Sequence, residues 1–258
     1  MRVALQVRAA RPAAEQFSRR LADELEAAGV EVSTEPGVAP DLVVAVGGDG
    51  TMLAAIQDAL RWDVPVVGFN LGTLGFLTAA EPGDLTTVVR RLVEGDYEVD
   101  ERMTVTAAVG GKSALGVNDV VVEKVDSTRL VSLSVVIDGI EFTTYRADGL
   151  IIATPTGSTA YAFSAGGPIV DPDVEALVLT PVASHALFDR SIVLPADSRI
   201  DVTVATDRAV RVNVDKSDLG EIGDGDTVEI RAGGRPARFV SFGGSPFPRL
   251  VREKFGLS

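Results

Sequence analysis

Cysteine is missing from all 258 residues, and histidine occurs once, at His185. Without thiols there can be no disulfide, no thiolate nucleophile and no cysteine-held metal. One imidazole excludes multi-histidine zinc chemistry. Lysine is scarce as well: Lys112, Lys124, Lys216 and Lys254 stand against twenty arginines. Acidic residues outnumber basic ones, for a net charge of −13 and a pI near 4.5. That balance argues against nucleic acid or an anionic membrane as the main partner. It suits an acidic surface adapted to salt, although a GC-rich genome, favouring arginine, alanine, glycine and aspartate, explains more of it. No apolar run approaches the ~20 residues of a membrane-spanning helix. Met1-Arg2-Val3-Ala4-Leu5 lacks the apolar core and cleavage site of a signal peptide. The expectation is a cytoplasmic protein with no membrane partner, its 46% hydrophobic content sufficient for one large core or two modest ones.

The stretch that organises the chain is Asp41-Leu42-Val43-Val44-Ala45-Val46-Gly47-Gly48-Asp49-Gly50-Thr51-Met52-Leu53. Leu42 to Val46 is an unbroken apolar run, as expected of a central strand in a parallel sheet. The glycines allow a sharp turn and a close ligand approach. Thr51 to Leu60, with Leu53, Ile56 and Leu60 on one stripe, predicts the following helix. Asp49 therefore stands at a strand's carboxyl end beside a helix N-terminus, where anions are favoured. One reading gives Asp49 a substrate hydroxyl or part of a magnesium site, with the glycine amides facing phosphate. The other makes it a turn residue capping the helix. The run fits neither the Rossmann nor the Walker pattern.

Strands at 3–7, 30–32, 42–46 and 64–69 alternate with helices at 12–28, 51–60 and 85–94, the last capped by Asp84 and closed by Gly95. This rhythm predicts a parallel, Rossmann-like α/β domain over residues 1–96. Asn70-Leu71-Gly72-Thr73-Leu74-Gly75-Phe76-Leu77 is a glycine-spaced loop at the carboxyl end of the 64–69 strand. From Tyr97 strand-like runs dominate, with Gly110-Gly111 and Asp138-Gly139 as hairpin turns. Residues 97–243 are expected to form a β-sandwich, and a closing helical segment within 244–258 to pack back onto the first domain. With no flexible linker in evidence, a shared rigid cleft is expected.

The most specific text runs from Asp148 to Pro168, with Thr154-Pro155-Thr156-Gly157-Ser158-Thr159-Ala160-Tyr161 at its centre. Glycines permit close approach, hydroxyls donate and accept, and a tyrosine offers a stacking face, which suits adenine and its sugar. A glycine-rich crossover in a sandwich is the plainer alternative. This segment, Gly47-Gly48-Asp49-Gly50-Thr51, the 70–77 loop, Asn118-Asp119 and Ala165-Gly166-Gly167-Pro168-Ile169-Val170 together resemble the NAD kinase family over essentially the whole chain.

That resemblance implies an α/β domain followed by a β-sandwich, and transfer of phosphate from ATP, or from polyphosphate, to the adenosine ribose 2′-hydroxyl of NAD. It implies Asp49 as the catalytic residue, with Asp49 and Gly50 both at the NAD nucleotide, and Asn118 and Asp119 in the NAD site. Arg129, Arg146, Asp148 and Ala183 match further binding positions. Thr159, Ala160, Tyr161, Ala162, Phe163 and Ser164 match the segment around adenine. Gly47, Gly48, Gly50, Thr51, Gly72 and Thr73 form the expected phosphate-donor loops. Magnesium is expected with the donor, its ligands unassigned, and a homo-oligomer of two or four chains is expected. Ala54, Ser184 and Asp215-Lys216-Ser217 depart from the family pattern. A lipid or sphingoid kinase sharing Gly-Gly-Asp-Gly-Thr, and a non-catalytic nucleotide-binding module, are the alternatives.

Overall fold

A computed structural model describes residues 1–7, 12–33, 38–72, 75–185, 187–243 and 246–257. The chain forms two compact units, Met1–Glu101 with Ala237–Ser258, and Arg102–Pro236.

In the first unit, β1 (Arg2–Val7), β2 (Glu31–Ser33), β3 (Leu42–Gly47) and β4 (Val66–Asn70) lie in the order β2-β1-β3-β4, all parallel. Every residue of β3 is buried, as its uninterrupted apolar run requires. Helices α1 (Pro12–Ala27) and α3 (Leu85–Glu94) cover one face, where Phe17, Leu21 and Leu25 meet Val44, Val46, Phe69, Val88 and Leu92. Helix α2 (Asp49–Trp62) follows β3 and buries Met52, Ile56 and Leu60. It rides close on the sheet: a Cβ on Gly68 would stand 2.8 Å from Met52 Sδ. Gly95 ends α3 in the left-handed conformation. Asp84, expected as the α3 cap, makes no side-chain capping bond and instead ends a 3-10 turn at Pro82–Asp84.

The second unit is a sandwich of two six-stranded sheets. One holds β6 (Val105–Val109), β7 (Lys112–Gly116), β9 (Val131–Ile137), β10 (Ile140–Ala147), β14 (Ile200–Val204) and β17 (Thr227–Ala232). The other holds β8 (Asp119–Lys124), β11 (Gly149–Ala153), β12 (Ala176–Val182), β13 (Ile192–Pro195), β15 (Val210–Val214) and β16 (Ser217–Ile222). All observed pairings within them are antiparallel. Inward side chains of both sheets, including Leu133, Tyr145, Ile152, Val212 and Ile230, fill one core.

Strands β5 (Glu98–Arg102) and β18 (Ala237–Ser241), expected in the second domain, are the last two strands of the first sheet, after β4. Ala237, Phe239 and Val240 are buried there, with Phe239 paired parallel to Val66. The expected division at 96/97 and 243/244 thus moves to 101/102 and 236/237. Helix α5 (Phe247–Phe255) returns to the first unit, where Phe247 and Phe255 flank Phe76 at 6.5 and 6.1 Å between ring centroids.

Candidate functional site

In the first unit, β3 and β4 end side by side, with Gly47 opposite Asn70. The Leu71 amide donates to the Gly47 carbonyl at 3.3 Å, tying the two glycine loops together. A cavity of about 270 Å³ opens there, lined by Ala13, Ala14, Gly47, Gly48, Asp49, Asn70, Leu71, Gly72, Gly75 and Lys254. Four of the expected phosphate-loop and catalytic positions, Gly47, Gly48, Asp49 and Gly72, meet in it. Gly50 and Thr51 lie in the first turn of α2, outside the lining. Thr51 packs on the backbone instead: a Cβ on Gly47 would stand 2.3 Å from its Oγ1. Thr73 lies outside the described residues.

Asp49 does not cap α2. Gly48 is the N-cap, and no side-chain capping bond forms. The Asp49 carboxylate turns to the loop after β4, where Oδ2 accepts from the Phe76 amide and Oδ1 from the Leu77 amide, both at 3.3 Å. Each oxygen keeps lone-pair capacity for a further donor. The loop comes this close because residue 75 is glycine; a Cβ there would stand 2.4 Å from Asp49 Oδ1.

In the second unit, Asn118 and Asp119 are buried at the start of β8, where Asp119 pairs with Ala153 of β11. Asp215, in the hairpin between β15 and β16, holds this point. Its Oδ2 accepts from the Val117 amide at 2.8 Å, and its Oδ1 from those of Asn118 and Asp119 at 2.9 and 3.1 Å. Burial first, and then the Asp215 charge, push the Asp119 carboxyl up to about 7. The side-chain oxygen of Asn118 is buried without a hydrogen-bond partner.

Tyr161 opens the short helix α4 (Tyr161–Ser164) and is 41% exposed. Burial, then the charges of Glu123, Asp148 and Asp119, raise its phenol. Asp148 is paired with Lys124 at 2.5 Å. Thr159 and Ala160 are half-buried; Phe163, Ser164, Arg129, Arg146 and Ala183 are exposed, Ala183 with a left-handed φ of 46°. Ala162 points inward, packed with Val121, Ile151, Ala153 and Val178. His185 is exposed.

The hydroxyls of Thr154 and Ser158 work differently from expectation. Both residues are fully buried. Thr154 Oγ1 donates to the Val117 carbonyl at 2.5 Å and accepts from the Gly157 amide at 3.1 Å. Ser158 Oγ donates to the Pro155 carbonyl at 2.6 Å and accepts from the Val170 amide at 2.9 Å. They lock the loop, while the surface is left to Tyr161, Phe163 and Ser164. Sequence reasoning counted Gly75 only within the 70–77 loop and Asp215 only within a departure from the family pattern, and gave no role to Lys254. Nothing local marks Lys254, 205 residues after Asp49.

Models of the ATP-NAD kinase N-terminal and C-terminal domains match residues 32–97 and 117–242. An NAD kinase of Heliobacterium modesticaldum is 42% identical over 220 residues, 83% of this chain and 78% of that protein. An NAD kinase of Symbiobacterium thermophilum is 37% identical in an alignment of 275 positions that covers 97% of each chain. An NAD kinase from Archaeoglobus fulgidus, solved with ATP, superposes with a TM-score of 0.84 at 28% identity, covering 100% of both chains. Yeast NADH kinase complexed with NADH has the same fold, with a TM-score of 0.89 at 24% identity over 100% of this chain and 88% of that one. These relationships favour neither a lipid kinase nor a non-catalytic module. With the Gly-Gly-Asp-Gly turn and the Thr-Pro-Thr-Gly-Ser-Thr-Ala-Tyr loop both folded into place, the chain belongs to the NAD kinase family.

Proposed function

We propose that the chain transfers the γ-phosphoryl group of ATP to the 2′-hydroxyl of the adenosine ribose of NAD, giving NADP and ADP, with Asp49 as proton acceptor. The observation that carries this reading is the Asp49 carboxylate, aimed by two backbone amides beside a glycine-lined cavity. A ribose hydroxyl is a weak nucleophile, so a carboxylate that takes its proton during attack lowers the barrier. Most of the remaining acceleration comes from positioning and charge neutralisation of the phosphoryl group. Glycines at 47, 48 and 72 let a phosphate chain approach the backbone.

For magnesium, no group of three or more His, Cys, Asp or Glu side chains is assembled among the described residues. The cavity lining instead includes one carboxylate residue, Asp49, and Asn70, whose side-chain oxygen accepts from the Gly72 amide at 3.1 Å. That donor set fits an ion arriving with the nucleotide and held mainly by its phosphates, with Asp49 and Asn70 as the residues that would hold it. When bound, such an ion neutralises phosphate charge.

On the NAD side, Tyr161 provides an exposed ring for adenine, and Asn118 a buried acceptor that a ligand donor would satisfy. Arg129, Arg146, Asp148, Thr159, Ala160, Phe163, Ser164 and Ala183 complete the proposed contacts, and Ala162 contributes through its backbone. A cytoplasmic location and a homo-oligomer belong to the same proposal. No described helix is long and apolar enough to cross a membrane. The exposed Phe142–Phe188 pair, edge to face at 5.8 Å, supports an apolar contact between copies, which light scattering would measure.

The test is incubation with Mg-ATP and NAD, followed by detection of NADP. Asp49→Asn should lose ~10²–10⁴ in kcat, the range for a missing general base, with NAD affinity little changed. NAD lacking the adenosine 2′-hydroxyl should inhibit competitively and gain no phosphate. Near-wild-type turnover by Asp49→Asn, or phosphate on the deoxy analogue, would reject the mechanism.

A further inference from the structure

We propose that Lys254, on α5, is the cationic contact for the donor's phosphate chain, a role that rests on the phosphotransfer reading above. The donor cavity is lined mainly by glycine, alanine, leucine and asparagine, with one acidic residue, Asp49. The first turn of α2, Gly50-Thr51-Met52-Leu53-Ala54, brings no basic side chain. A polyphosphate carries several negative charges, and amide dipoles beside a carboxylate offset them poorly. Lys254 is the one basic residue among the described residues that line the cavity.

Its placement is built rather than incidental. Lys254 is half-buried, while Arg252 and Glu253 beside it are exposed. Its ammonium lies 5.4 Å from the centroid of the Phe76 ring. That ring is held between Phe247 and Phe255 of the same helix. The Phe76 amide is in turn one of the two that aim Asp49. One residue of the 75–77 loop therefore ties the position of the cation to that of the carboxylate. An aromatic face orients an ammonium without removing its charge, so Lys254 can meet the phosphates next to Asp49. The closing helix thereby contributes to the donor site as well as to the fold.

The test uses calorimetric titration of the full chain, Lys254→Met and Lys254→Arg with inorganic tripolyphosphate, Mg-ATP, adenosine and NAD. Lys254→Met should weaken tripolyphosphate and Mg-ATP by about 10- to 100-fold, as loss of charge-assisted contacts does. Adenosine and NAD should change by less than about twofold, and Lys254→Arg should recover most of the loss. In turnover, KM for Mg-ATP should rise while KM for NAD stays. Unchanged tripolyphosphate affinity in Lys254→Met, or equal losses for all ligands with a lowered Tm, would overturn the proposal. If Lys254→Met does not fold, acylation of the wild-type lysines decides. Tripolyphosphate should protect Lys254 and leave Lys112 and Lys216 reactive; absence of protection would overturn the proposal too. Protection of Lys254 in a chain that makes no NADP would reject the NAD kinase reading and leave this one standing.

Discussion

Gly75 leaves no room for a side chain, since a Cβ would stand 2.4 Å from Asp49 Oδ1 and 2.9 Å from Thr78 Oγ1. Gly75→Ala must therefore displace the carboxylate or the loop that aims it. Misplacing a reacting group by about 1 Å costs roughly 10²-fold in rate, and steady-state kinetics should show that loss in kcat. Gly83→Ala is the control, because nothing lies within 4 Å of a Cβ there. Asp119 makes a second prediction. Its carboxyl is raised from 3.8 to about 7, so the unfolded chain releases this proton near pH 4 while the folded chain keeps it to about pH 7. Across that window the unfolded state binds fewer protons, and stability must fall as pH rises, by roughly a few kcal/mol in total. The contribution is fully present below about pH 4 and gone above about pH 7. Asp119→Asn should flatten this slope in denaturation curves taken from pH 4 to 8; a parallel fall in the mutant would contradict it.

At the scale of elements, a hairpin turn supports the start of a neighbouring strand. Asp215, with a left-handed φ of 49°, offers both carboxylate oxygens to the amides of Val117, Asn118 and Asp119. Asp215→Ala leaves buried donors unpaired at about 1–3 kcal/mol. Calorimetry should show weaker NAD binding with tripolyphosphate binding unchanged; weakening of both would mean general unfolding. The hairpin turns themselves were legible. Gly110-Gly111 and Asp138-Gly139 all have positive φ, as two-residue turns joining twisted strands require. Strand β16 was not legible, because Ser217-Asp218-Leu219-Gly220-Glu221-Ile222 is a polar edge strand with a central glycine. Within the strand-like runs that follow Tyr97, β5 and β6, and again β7 and β8, are neighbours in sequence but lie in different sheets. Apolar alternation records which residues are buried, and cannot record which sheet buries them.

At the scale of the molecule, the charge of −13 predicts that salt stabilises the fold by screening repulsion between surface carboxylates. Tm should rise from low to molar KCl. An unchanged or lower Tm would leave the composition without a folding consequence. Membership of the NAD kinase family was legible from its motifs, some of whose glycines leave no room for a side chain. A Cβ on Gly157, for example, would stand 2.1 Å from the Asn118 carbonyl oxygen.

By itself the sequence determined the classes of the two units, the position of Asp49 at the end of β3 and the loops on which the site is built. These follow from local periodicity and from glycine's freedom, which act over a few residues. Only the tertiary structure decided that Asp49 is aimed by Phe76 and Leu77 instead of capping α2, that Thr154 and Ser158 turn inward, and that β18 completes the first sheet. It alone brings Lys254 to the cavity of Asp49. Those outcomes depend on contacts between residues far apart in the chain, where packing and hydrogen-bond satisfaction override local preference.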